Sequence, residues 1–125
     1  MILNVNYAEH SATLRRDVTA GSAVSLDCTL DVDCFTEPVR WVKSPEQSEQ
    51  LWYNGQQINP KLNLSGVSVE NDATRGLSVL TMEVRLEYRG SFRCYVAGIQ
   101  KCQINFQLTV TGKIYLQCKH NYLKH

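Results

Sequence analysis

The stretch that decides the fold is Gly21-Ser22-Ala23-Val24-Ser25-Leu26-Asp27-Cys28-Thr29-Leu30. From Val24 onward apolar and polar side chains alternate, which is the pattern of a β-strand with one buried face. Similar short segments recur with turn signals between them, a spacing typical of an all-β sandwich or barrel. They predict further strands at 39–43, 51–53, 67–70, 80–86, 92–96 and 104–110, with Leu80, Met82, Val84 and Leu86 on one face.

Length and charge narrow the class of protein. The chain has 125 residues, the size of one domain, and carries 13 Lys plus Arg against 12 Asp plus Glu. This balance provides no strong field for nucleic acid or anionic lipid, so binding must depend on local shape and chemistry. There is neither a membrane-spanning apolar run nor a signal peptide at the start. We therefore expect a mature fragment of a longer protein, with Met1 added and any membrane anchor outside this sequence.

The five cysteines are Cys28, Cys34, Cys94, Cys102 and Cys118. None forms a C-x-x-C pair, and the three histidines lie in the flanks, so we expect no metal and no cofactor. Widely spaced cysteines in a small β-rich chain indicate disulfides and an oxidising compartment. The odd count leaves one thiol without a partner inside the chain.

Three motifs together resemble the immunoglobulin superfamily. Residues 21–28 resemble its G-x-x-V-x-L-x-C second strand, and Trp41 follows Cys28 by 13 positions, where the family places its core Trp. Residues 90–94 resemble its G-x-Y-x-C motif, and the 66 positions between Cys28 and Cys94 suit a variable-type or intermediate-type domain with an extra strand C′. The resemblance covers about residues 10–111. It implies an all-β, immunoglobulin-like two-sheet Greek-key sandwich at 1–111, with 112–125 as a tail, a linker or the start of a following module.

Two positions depart from the family pattern. Phe92 replaces a Tyr and lacks the hydroxyl that would bond to the backbone. Tyr88 stands where the family usually has Asp, so the usual bridge from an arginine, here expected to be Arg75, would lack its acidic partner.

The resemblance implies how the cysteines pair. A core disulfide is expected between Cys28 and Cys94, packed against Trp41 between the sheets. The loops of Cys34 and Cys102 emerge at the same end of such a sandwich, so a second bridge is expected there; two free thiols are the alternative. Cys118 lies past the last predicted strand. It belongs to a longer truncated ectodomain, to a following module, or to a stalk that forms a homodimer.

Contact residues are predicted on one sheet. Trp52 and Tyr53 precede Asn54-Gly55, a pair that favours a tight turn, and one of the two aromatic side chains is expected to face away from the core because side chains alternate along a strand. In variable-type domains the sheet of strands C, C′, F and G commonly forms the partner surface. This resemblance predicts contacts at Trp52, Tyr53, Tyr95, Ile99 and Gln100; the alternative is that Trp52 fills the edge of the sandwich. Asn63-Leu64-Ser65 is an N-glycosylation sequon.

No catalytic motif is visible: the sequence has no G-x-S-x-G, no glycine-rich phosphate loop and no Cys with a His partner in the domain, so no enzyme is predicted. The resemblance implies an extracellular recognition module of a cell-surface adhesion or immune receptor, binding a second copy or a different protein. The alternative is a soluble secreted immune effector or a pathogen-encoded decoy. An intracellular structural domain of the muscle type is disfavoured, because its cysteines would stay reduced.

Overall fold

The fold consists of two packed β-sheets. The computed structural model describes residues 13–44 and 49–112. Within these ranges the strands are β1 (Thr13–Thr19), β2 (Ala23–Thr29), β3 (Arg40–Ser44), β4 (Gln50–Tyr53), β5 (Val67–Asp72), β6 (Leu77–Glu83), β7 (Gly90–Val96) and β8 (Ile99–Thr111). One sheet has the order β1-β8-β7-β3-β4 and the other β2-β6-β5.

The connections make this a Greek-key sandwich. The chain crosses between the sheets after β1, after β2, after β4 and after β6, and β1 pairs in parallel with β8. The predicted all-β, two-sheet architecture is therefore confirmed. Among the described residues no helix is long and apolar enough to cross a membrane.

A disulfide and an indole join the two sheets at their centre. Cys28 on β2 and Cys94 on β7 are bonded, with an S–S distance of 2.01 Å, and neither residue is exposed to solvent. Trp41 on β3 stacks on Phe106 of β8, with ring centroids 5.7 Å apart. Its indole N–H crosses to the other sheet and donates to the hydroxyl of Ser78, at 3.0 Å. This satisfies the polar atom of each buried side chain, so neither incurs the cost of an unpaired polar group.

A second disulfide closes one end of the sandwich. Cys34 lies in a short 3₁₀ turn between β2 and β3, and it is bonded to Cys102 on β8. Both residues are buried. The bond ties the β2–β3 loop to the sheet that contains β7 and β8, as the sequence predicted.

Strand β6 is shorter than the sequence indicated. It ends at Glu83, and a 3₁₀ turn follows at Leu86–Tyr88. Leu80, Met82 and Val84 are buried as predicted, but Leu86 is 39% exposed. The alternating pattern continued beyond the strand because a turn residue happened to be apolar.

The arginine expected near Tyr88 is a different one. Arg75 follows β5, at the opposite end of β6 from Tyr88, and its nearest acid is Asp72 at 4.0 Å. Seven residues of β6 separate those ends by about 20 Å. Arg85 instead stacks its guanidinium on the Tyr88 ring, 5.5 Å from the centroid.

The carboxyl-terminal boundary stays a prediction. Strand β8 ends at Thr111, and residues 113–125, including Cys118, lie outside the described residues.

Removing the second disulfide should reduce stability without changing the fold. With Cys28–Cys94 intact, the Cys34–Cys102 bond closes a loop of only about 15 residues, because each of its cysteines is close in sequence to one of the core pair. The double variant Cys34→Ala/Cys102→Ala should therefore lose about 3 kcal/mol of unfolding free energy. Denaturant unfolding monitored by tryptophan fluorescence measures this loss. An unchanged midpoint would show that the bond does not constrain the native protein.

Candidate protein-binding face

The solvent-facing side of the five-stranded sheet is a candidate binding surface, here called the outer face. Phe92, Cys94 and Val96 on β7 are buried between the sheets, so Ser91, Arg93 and Tyr95 point outward, because side chains alternate. Strand pairing places outward side chains of the neighbouring strands beside them. The polar side chains of this face include those of Arg40, Ser91, Arg93, Tyr95, Gln103, Asn105 and Gln107.

Arg93 is held in place at the centre of the outer face. Its guanidinium bonds Glu49, 3.1 Å from Oε2, and lies 5.2 Å from the centre of the Tyr95 ring. An ion pair this exposed contributes at most about 1 kcal/mol. Together, the contacts of Arg93 with Glu49 and with the Tyr95 ring favour one orientation of Arg93 and Tyr95. Both residue types are enriched among the side chains that dominate binding energy at interfaces.

A groove lies at the end of the outer face next to the β7–β8 turn, and we call it the β7–β8 groove. It has a volume of about 410 Å³. Tyr95 and Ile99 are half-buried in its wall, while Gln100 is exposed at its rim. The remaining lining residues are Arg93, Val96, Gly98 and Gln103. The structure thus brings together three of the five predicted contact residues.

The other two predicted contacts, Trp52 and Tyr53, do not belong to this surface. Trp52 is 3% exposed and Tyr53 is 7% exposed, so the expectation that one of them faces solvent is wrong. Trp52 packs edge-on against Tyr88 and Phe92, with ring centroids 4.9 and 5.0 Å away. The Tyr53 hydroxyl accepts a hydrogen bond from Asn71 of the other sheet. Both side chains therefore fill the sandwich.

An irregularity in strand pairing explains why two adjacent residues are both buried. Trp41 pairs with Tyr53, but the next residue, Val42, pairs with Leu51. Trp52 is the extra residue in this β-bulge, and strict alternation of side chains breaks at that point. The bulge turns Trp52 and Tyr53 toward the core together. The following turn has the predicted form, since Gly55 adopts a φ of 102° and the Asn54 side chain accepts hydrogen bonds from the backbone N–H groups of Gln56 and Gln57.

Sequence reasoning missed Arg93, although a signal for it was present. It stands between two inward positions, Phe92 and Cys94, in a strand whose alternation was recognised. An arginine two positions before an outward Tyr95 is placed beside it on the same face.

The sequon lies away from the groove. Asn63 is exposed and follows a 3₁₀ turn at Pro60–Leu62 with a φ of 50°. Ser65 of the sequon accepts a hydrogen bond from Arg85, which precedes β7, whereas the groove follows the far end of that strand. The seven residues of β7 place these ends about 20 Å apart.

Metal ligands do not gather anywhere in residues 13–44 and 49–112: no three His, Cys, Asp or Glu side chains are spaced to hold an ion. The outer face is a polar β-sheet surface with Arg93 and Tyr95 at its centre.

Comparison with known proteins identifies the architecture. No protein-family model matches the sequence, and no curated protein matches it. Among solved structures, the second Ig domain of the mouse polymeric immunoglobulin receptor is similar, with a TM-score of 0.67 over 80% of this chain and 97% of that domain. The chain has the immunoglobulin fold. In the lettering of this fold, β2 to β8 are strands B, C, C′, D, E, F and G.

The likeness extends to the fold alone, because the two sequences are 14% identical. The immunoglobulin fold is typical of non-enzymatic modules that bind other proteins, and function on any fold depends on its local surfaces. The two disulfides fit an oxidising, extracellular environment.

Alanine substitutions should separate core from surface. Trp52→Ala should lower the unfolding free energy by about 3–5 kcal/mol, because it removes a fully packed aromatic side chain. Tyr95→Ala and the matched neighbour Leu51→Ala, both only half-buried, should each cost less. Urea denaturation of the three variants measures the differences. A Trp52→Ala protein as stable as the parent would contradict the burial described above.

Proposed function

We propose that the chain is an extracellular protein-recognition module of a cell-surface adhesion or immune receptor. It binds a protein, either a second copy or a different receptor, through the β7–β8 groove and the adjoining outer face. Tyr95, Ile99 and Gln100 make the contacts, and Arg93 contributes beside Tyr95. The module has no catalytic role.

The position of Tyr95 is the observation that carries this proposal. Its ring is half-buried and supported by Arg93, while one side of it borders an open groove. A rigid aromatic side chain of this kind adds contact area and loses little conformational entropy on binding. The neighbouring side chains Gln100 and Gln103 supply hydrogen-bonding groups around it. An aromatic anchor with a polar surround is the usual composition of a protein interface.

The second disulfide supports binding at this end of the domain. Cys102 lies on β8 just beyond Gln100, and its bond to Cys34 restrains that part of the strand. Segments that are already ordered lose less entropy when a partner binds. The bond therefore favours the groove as a preorganised surface.

Paired variants test the binding surface. Beads coated with the domain detect self-binding through aggregation, and a fluorescent tetramer of the domain detects other receptors on cells. Tyr95→Ala and Gln100→Ala should weaken whichever binding is observed, Tyr95→Ala by about tenfold or more. Ser68→Ala, an exposed change on the opposite sheet, is the control and should bind normally. Melting temperature checks that all three variants fold.

Two outcomes would contradict this proposal. One is binding that survives Tyr95→Ala but is lost in Ser68→Ala, which would move the interface to the other sheet. The other is the absence of both bead aggregation and cell staining by a correctly folded tetramer.

We also propose that Asn63 carries an N-linked glycan. Its exposed side chain leaves an enzyme free access, and a glycan there would leave the distant groove open. Protein secreted from mammalian cells should lose mass on treatment with peptide N-glycosidase F. Asn63→Gln and Ser65→Ala should both abolish the loss, and an untreated protein of unmodified mass would refute the assignment.

A further inference from the structure

The charged side chains of the described strands are divided between the two sheets. Lys and Arg predominate in the strands of the five-stranded sheet, where Asp17 is the one acid. The strands of the three-stranded sheet contain neither Lys nor Arg, and their acids are Asp27, Glu70, Asp72 and Glu83. The near balance of charge over the whole chain therefore conceals opposite charges on opposite sides of the sandwich.

The solvent-facing side of sheet β2-β6-β5, here called the acidic face, has a carboxylate on either side of a valine. Asp27 on β2 pairs with Val79 on β6, and Val79 pairs with Glu70 on β5. Ser78 and Leu80 are buried between the sheets, so Val79 points outward, where it is half-buried. Both acids are exposed. Two strand spacings, about 10 Å, separate their backbone positions.

The outer face has a matching arrangement, with a cation on either side of an aromatic ring. Tyr95 pairs with Arg40 on one side and with Gln103 on the other. Lys101 precedes Gln103 by two residues on β8, so it lies on the same face. The backbone positions of Arg40 and Lys101 are about 12 Å apart, because two strand spacings across the sheet and two residues along it separate them.

These four charged side chains are not compensated by ion pairs within the described part of the chain. The ion pairs found there join other residues, among them Arg93 and Glu49 on the outer face. Asp27, Glu70 and Lys101 are exposed, and Arg40 is half-buried. All four charges are therefore available to pair with charges on another molecule.

We propose that the outer face of one copy of this domain binds the acidic face of a second copy. The inference rests on the proposed function, because it uses the same outer face, and it identifies the partner as this chain itself. Tyr95 packs on Val79, while Arg40 and Lys101 form ion pairs with the two carboxylates that flank the valine. Two sheet faces stack with their strands within about 30° of each other, so the two rows of three side chains can meet along their length.

The charges favour this arrangement over a symmetric pair. A two-fold axis joins identical surfaces, so it would place the cations of one outer face against those of the other. Like charges that face each other across an interface oppose binding. A contact between two different faces leaves one face of each copy open, so association continues into chains and does not stop at a dimer.

The contact is weak and depends on ionic strength. Exposed ion pairs contribute little individually and are screened by salt. The acidic face, with three strands, is also smaller than the surface that a stable complex buries. Weak contacts of this kind become effective when many copies are held close together on one surface, because each contact raises the effective concentration for the next.

Measurements on the parent protein test the association directly. At about 20 mM salt, its weight-average mass in sedimentation equilibrium should rise with concentration beyond the mass of a dimer, and about 500 mM salt should abolish the rise. In NMR spectra at low salt, the methyl signals of Val79 and the ring signals of Tyr95 should shift with protein concentration. The indole signal of Trp41 should not shift, because its N–H is bonded to Ser78 in the core.

Charge exchange identifies the two faces. Asp27→Lys/Glu70→Lys makes both faces basic, and Arg40→Glu/Lys101→Glu makes both acidic, so each double variant should associate at least about tenfold more weakly. Combining all four substitutions exchanges the charges between the faces, keeps the net charge of +1, and should restore association. Lys61→Glu, at an exposed lysine in the turn before β5, is the matched control for Lys101→Glu and should associate as the parent does. Melting temperatures check that the variants fold.

Several results would overturn the proposal. These are a parent that stays monomeric at low salt, a mass that levels off at a dimer, or a fourfold variant that folds but does not associate. The parent measurements need no variant, so they decide even if a double variant fails to fold. A monomeric parent that still stains cells through Tyr95 would exclude the second copy as partner and leave the proposed function standing.

Discussion

The whole fold depends on the contact between two sheets made by Cys28, Cys94 and Trp41. The disulfide links β2 of one sheet to β7 of the other, and the Trp41 indole crosses the same gap to reach Ser78. Closing so long a loop is worth about 4 kcal/mol in the chain-entropy model, a large share of the 5–15 kcal/mol by which domains are stable. With the sheets fixed in this way, the side chains on their outer surfaces are left available for binding.

This central contact could be predicted because its signals are local. Alternation before Cys28 and around Cys94 fixes which face of each strand is buried, and strand β3 carries Trp41 on the matching face. The disulfides followed from the resemblance those motifs bear to the immunoglobulin family. The same alternation indicated Tyr95 as an outward residue, and the structure places it beside Ile99 and Gln100 at one groove.

The residues whose positions the sequence did not predict are placed by contacts between segments that are distant along the chain. The inward rotation of Trp52 and Tyr53 results from a bulge, which is defined by the hydrogen-bond register between β3 and β4 and is invisible in either strand alone. Tyr88 was recognised as a departure from the family pattern, but its place against Trp52 arises from a turn after β6. Lys43 lies two residues after Trp41 and four after Val39, so it points inward as they do and is buried. A charged side chain is normally expected to face solvent, so this burial was not predicted.

The β7–β8 groove lies beside the Cys34–Cys102 disulfide at one end of the molecule. Its position depends on how the sheets are joined, so the pairing of the cysteines is the point to test. Proteolysis of the oxidised, alkylated protein followed by mass spectrometry without reduction measures it directly. We expect one linked peptide pair that contains Cys28 and Cys94, and another that contains Cys34 and Cys102. A peptide pair that links Cys28 to Cys34, or Cys102 to Cys118, would contradict it.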